Sequence, residues 1–145
     1  MPASRRVIVL LRVTVSLLAL QFLLGIWVNL FGSFPRTSDV ATALSYSGDP
    51  VLTAHYALAV LLLLLAVLLA YVSFAPGEPR RLRGLTIAGL LSVLLALEAG
   101  VQFILSGFGN ADWSFVMAFG FIASTAFYGV AQLIAVQPGN GFTPV

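Results

Sequence analysis

Polar residues along this chain are grouped, and between the groups lie four long runs almost free of charge. They span about Val13–Phe31 (VTVSLLALQFLLGIWVNLF), Val51–Ala75, Leu85–Gly107 and Trp113–Val136. A hydrocarbon core of about 30 Å is crossed by about 20 apolar residues in a helix, and each run reaches that length. Backbone groups in lipid must be satisfied inside the segment, which selects helices; the alternation of a barrel strand is not seen. Pro76, Pro79 and Pro138, with glycines beside them, stand where such helices should stop. The pattern predicts an all-α chain, a single membrane domain over residues 1–145 folded as a four-helix transmembrane bundle in the cell membrane.

Composition agrees. The chain has 145 residues, 60% hydrophobic and only 8% charged, with mean hydropathy +1.05. A soluble domain is about 25% charged, so seven basic and five acidic side chains are too few to cover a water-soluble globule. The same numbers exclude disorder. Cys is absent, which removes disulfides, thiolate zinc sites and thiol chemistry. The pI near 9.5 reflects a net charge of only +2. No broad basic face exists, so nucleic acid is not an expected partner. The expected partners are the lipid bilayer and a second copy of the chain or a larger membrane complex.

The arginines set an orientation. All seven basic residues are arginine, and Arg5, Arg6, Arg12, Arg80, Arg81 and Arg83 lie in the N-terminal segment and the second loop. The other two loops carry only Arg36, beside Asp39, Asp49 and Asp112. The positive-inside rule then places both termini in the cytoplasm. Trp27, Phe31, Tyr56, Phe108 and Trp113 fall at the outer interface, Tyr71 and Phe74 at the inner one. Ser4-Arg5-Arg6 has the look of a twin-arginine signal, but the following run is too long for one and is read as a retained helix.

Ionisable residues within a span are costly and are functional candidates by default. His55 and Glu98 qualify. Counting about 1.5 Å per residue from the outer ends predicts two polar layers. Asn29, His55, Gln102 and Met117 form the outer one; Gln21, Glu98, Ser124 and Thr125 form the central one. The inner half is expected to be almost wholly apolar. Side chains lean toward their helix N-terminus, which separates His55 from Glu98 and makes Gln21 or a hydroxyl the expected partner of Glu98. A gapless echo supports the layering: LALQFLLGIWVNLFG at Leu18–Gly32 aligns with LALEAGVQFILSGFG at Leu95–Gly109, placing Gln21 on Glu98.

Little chemistry is within reach of these residues. His55 is the sole histidine, which removes a three-histidine zinc site and leaves an axial heme ligand as a candidate role, with Met117 completing the pair and Phe103, Phe115, Phe119 and Phe121 walling the porphyrin. The plainer alternative is a hydrogen bond to Gln102, a loop carbonyl or lipid headgroups. Glu98 serves as a proton relay, as a cation site, or as a hydrogen bond between helices worth about 1 kcal/mol. Ala96/Gly100 and Gly120/Ser124 have the small-xxx-small spacing of packed membrane helices. The soluble-enzyme motifs are missing. The Gly32–Pro50 loop is either a lid over the outer layer or an ordinary solvated connection.

The segment QFLLGIWVNLFGS resembles the first helix of the heme A synthase family, through Gln21, Leu24, Gly25, Val28, Gly32 and Ser33. The resemblance implies a four-helix unit with a heme-binding histidine near the outer end of its second helix, where His55 stands. It also implies departures. The Cys-Pro segment of the first external loop is absent, Tyr56 and Ala118 stand where the family has arginine, the glutamate one turn before the histidine is missing, and Met117 replaces the second histidine. The expectation is a half-size, non-catalytic relative holding heme b through His55, within one bundle or between two His55 residues of a dimer. The alternatives are an accessory subunit of a membrane complex, packing through the Leu-rich second helix, and a small-molecule or proton carrier using Glu98.

Overall fold

A computed structural model describes residues 3–137, and Pro138 lies outside them. Among the described residues there are helices and no strands: α1 (Arg5–Phe31), the short α2 (Val40–Leu44), α3 (Pro50–Val72), α4 (Arg80–Leu105) and α5 (Ala111–Val136). α1, α3, α4 and α5 are each long and apolar enough to cross a membrane. The chain is a small multi-pass integral membrane protein built as a four-helix bundle.

The helices differ from the apolar runs at their ends. α1 begins at Arg5 rather than near Val13, and α4 at Arg80 rather than near Leu85. Hydropathy marks only the part in hydrocarbon, whereas arginine is a good helix former, so both helices continue past the lipid boundary. α3 stops at Val72 instead of Ala75 because the chain turns through Ser73–Glu78, with Gly77 at φ 90°. α2 is too short to leave a signal in the pattern.

Around the bundle α1 packs on α3 and α5, and α4 packs on the same two helices. α1 and α4 are therefore diagonal, as are α3 and α5. The α4–α5 seam is the closest. A Cβ on Gly120 would lie 2.8 Å from Ala96 N and 2.9 Å from Ser92 O, so only glycine lets the two backbones approach this far. Gly89 faces the ring of the fully buried Tyr128 in the same way. Val7, Leu11, Leu18, Leu62, Leu69, Leu82 and Ala131 belong with Tyr128 to one buried cluster.

The arginine-rich half is not wholly apolar, contrary to the expectation from layering. Thr14, Ser73 and Thr86 are fully buried there. Ser73 Oγ donates to Ala70 O at 2.7 Å, and Thr86 Oγ1 lies 3.0 Å from Ser73 Oγ. Arg83 Nε donates to Ser73 O at 3.0 Å and its guanidinium lies 5.5 Å from the Phe74 ring centre, a cation placed at the carbonyl end of α3. Glu78 closes the other helix terminus at this end, its carboxylate accepting from Ser4 N at 3.2 and 3.3 Å. Ser73 and Thr86 satisfy their hydroxyls on the preceding turn, which lets them sit in an apolar run, whereas Thr14 Oγ1 is buried without a partner among the described residues.

The opposite end is joined by Asp49. One carboxylate oxygen accepts from Val51 N and Leu52 N at 2.9 and 3.1 Å, capping α3, and the other accepts from Ser33 N at 2.9 Å, just beyond α1. These bonds hold the carboxyl below the usual aspartate range. α2 crosses to α4 with Ala43 fully buried, so the Gly32–Pro50 loop covers this end of the bundle. Phe34 stacks on Phe108 at 4.9 Å, and Phe103 meets both rings edge-on.

Candidate functional site

His55 and Gly25 lie within two turns of the loop-covered ends of α3 and α1, and their helices are adjacent and antiparallel, so they meet at one level. The missing side chain makes the meeting possible: a Cβ on Gly25 would lie 3.4 Å from His55 Cε1. Gln21 stands one turn deeper on the same face. The carbonyl of His55 points along α3 toward Gln21. Gln21 Nε2 donates to it at 3.3 Å and lies 3.3 Å from His55 Nε2. His55 Nδ1, Gln21 Oε1 and Tyr56 Oη are buried without a hydrogen-bond partner among the described residues.

The two polar layers are thus replaced by two separate pairs. Gln21 belongs with His55, not with Glu98, because the diagonal position of α1 and α4 keeps their side chains apart. Glu98 is exposed on the bundle surface, and its Oε1 accepts from Gln102 Nε2 at 2.8 Å within α4. Gln102 is therefore the partner of Glu98, not of His55. Asn29 is also exposed. Ser124 and Thr125 turn back to Phe121 O at 2.8 and 3.0 Å. The echo that aligned Gln21 with Glu98 ends in opposite places: one side chain faces the core, the other faces out.

An axial heme ligand pair does not fit this arrangement. One nitrogen of His55 is engaged by Gln21, and the Cε1–Nδ1 edge of the ring faces α1 at Gly25. Met117 fills the α4–α5 seam instead, its Sδ 3.7 Å from the position of a Cβ on Gly100. The four phenylalanines share no common cavity. Phe115 and Phe119 are exposed, Phe121 stacks on Phe22 at 5.4 Å, and Phe103 sits in the cluster with Phe34.

Sequence reasoning passed over Gly84 and Ala88 on α4. A Cβ on Gly84 would meet nothing within 4 Å, so this glycine serves no contact inside the bundle. The signal that could have found them is the four-residue spacing already noted for Ala96/Gly100, read together with the exposed face of α4. Comparison with protein-family models, with curated proteins and with solved structures finds no match to the chain.

Proposed function

We propose that this protein is a non-catalytic accessory subunit that assembles with other membrane helices through the outward face of α4, with both termini cytoplasmic as its arginine distribution favours. The observation that carries the reading is the Glu98–Gln102 pair. Its carboxyl-bearing member, Glu98, lies about 10 Å below the covered end of α4, exposed among Leu91, Leu94, Leu95 and Leu105. A carboxyl facing acyl chains at this depth costs several kcal/mol, up to about 3 on insertion scales. Polar side chains in membrane spans are found facing protein or a water-filled cavity, and a covering subunit removes the cost. Gln21, by contrast, finds its partner inside the bundle, its Nε2 reaching His55 and tying α1 to α3.

Native electrophoresis of the protein extracted from its own membrane tests the reading. The wild type is expected to run in an assembly larger than one chain. Glu98→Leu is expected to run as the free bundle with its thermal unfolding unimpaired. A wild type that runs alone, or an assembly indifferent to Glu98→Leu, would refute it.

A further inference from the structure

The outward face of α4 has a regular composition as well as a polar pair. Gly84, Ala88, Leu91, Leu95, Glu98, Gln102 and Leu105 follow one another at alternating spacings of four and three residues. That is the seam of a left-handed helix pair. Gly84, Glu98 and the leucines are exposed, Leu91 at 61% and Leu105 at 48%, and Ala88 and Gln102 are half-exposed. We infer that this seam is covered by α4 of a second copy of the chain, in parallel orientation, forming a symmetric dimer. The inference rests on the proposed reading that protein covers the outward face of α4, and it names that protein.

Three observations select a second copy. A twofold axis along the membrane normal sets every seam residue opposite itself at equal depth, so the one polar layer meets a polar layer with no further matching. The polar pair is self-complementary as well. Each Gln102 amide has two N–H groups, one given to Glu98 of its own chain at 2.8 Å. The second is free for the Glu98 carboxyl of the other copy, and the reciprocal bond closes a ring of four side chains. Finally, Gly84 and Ala88 form a small-xxx-small step at the arginine-rich end. An exposed glycine within a helix is unfavourable by about 1 kcal/mol relative to alanine, and close approach of a second backbone is the use it has in membranes. Arg80 and Arg81 of the two copies come near each other only at the water boundary, where salt screens them.

The cysteine-free chain makes the test direct. Leu91→Cys in the seam and Leu133→Cys on the lipid face of α5 are each oxidised in native membranes. The expected result is a disulfide dimer of the chain from Leu91→Cys and none from Leu133→Cys. Adding Glu98→Leu to Leu91→Cys is expected to lower the dimer fraction about tenfold, the loss of two interhelical bonds. Gly84→Leu, whose side chain enters open space in the single bundle, is expected to lower it too without affecting the fold. Cross-linking of Leu91→Cys to a different protein alone would overturn the dimer while leaving the accessory reading intact. No dimer from Leu91→Cys would overturn the dimer, and an assembly still seen by native electrophoresis would then keep the accessory reading. A dimer insensitive to Glu98→Leu and Gly84→Leu would overturn the seam.

Discussion

Gln21 Nε2 lies 3.3 Å from both the main-chain oxygen and Nε2 of His55, so one amide binds the backbone and the ring of the neighbouring helix at once. Gln21→Leu removes both bonds and leaves a ring nitrogen unpaired. The expected loss is about 1–2 kcal/mol, read by reversible unfolding in mixed micelles. A double-mutant cycle with His55→Leu should return a coupling of at least about 0.5 kcal/mol. Additive effects would show that the two side chains act independently.

Gly120 and Gly84 should respond oppositely to a methyl group. At Gly120 the new Cβ meets Ala96 N and Ser92 O below 3 Å, and both belong to backbone that cannot move aside. Gly120→Ala forces α4 and α5 apart and is expected to destabilise by about 1–3 kcal/mol. Gly84→Ala enters open space and removes a helix penalty, so the single bundle should gain about 0.5–1 kcal/mol. Equal effects at the two sites in thermal unfolding would contradict the packing described.

Tyr128 is fully buried and its hydroxyl has no partner among the described residues. Tyr128→Phe keeps the ring over Gly89 and removes the unpaired oxygen, so stability is expected to rise by about 1 kcal/mol. A fall of similar size would mean that the hydroxyl is satisfied. Gly89→Ala, destabilising alone because its Cβ would sit 2.5 Å from Tyr128 Cζ, should be rescued by Tyr128→Leu.

The covered end of the bundle should loosen in acid. Asp49 accepts from three backbone N–H groups, and Asp39 caps α2 through Thr42; both are held below the ordinary carboxylate range, mainly by those bonds. A depressed folded pKa means that the unfolded state binds protons first as pH falls. Their stabilisation is therefore present at neutral pH, begins to decline near the ordinary value of about 4, and is lost through the lower folded value. Protection of the Ser33, Val51 and Leu52 amides, taken relative to their intrinsic exchange rates, should fall over this range in the wild type and be low at all pH in Asp49→Ala. Protection insensitive to pH in the wild type would remove the carboxylate from this role.

The four crossings were legible because lipid imposes length and apolarity on any spanning helix, and Pro76 and Pro79 mark the turn between α3 and α4. What surrounds each helix was not legible. In water a polar residue marks the outer face; in lipid the outer face is as apolar as the core, so the pattern does not say which way Gln21 or Glu98 turns. The depth count erred for a related reason. It placed Gln21 with Glu98 by level alone, whereas the order of helices around the bundle puts α1 beside α3 and opposite α4. Gly25 carried the missing information, since a glycine opposite a ring marks the neighbour, but it reads as one glycine among thirteen.

The carboxylate that closes the start of α1 belongs to Glu78, 74 residues further along the chain than Ser4. This contact forms only once the loop after α3 has been synthesised and has returned to the end of the bundle where α1 starts. Until then the first helix is capped by its own Ser4 hydroxyl, which accepts from Val7 N. A single acidic side chain thereby ties the start of the first helix to the loop that follows the second crossing.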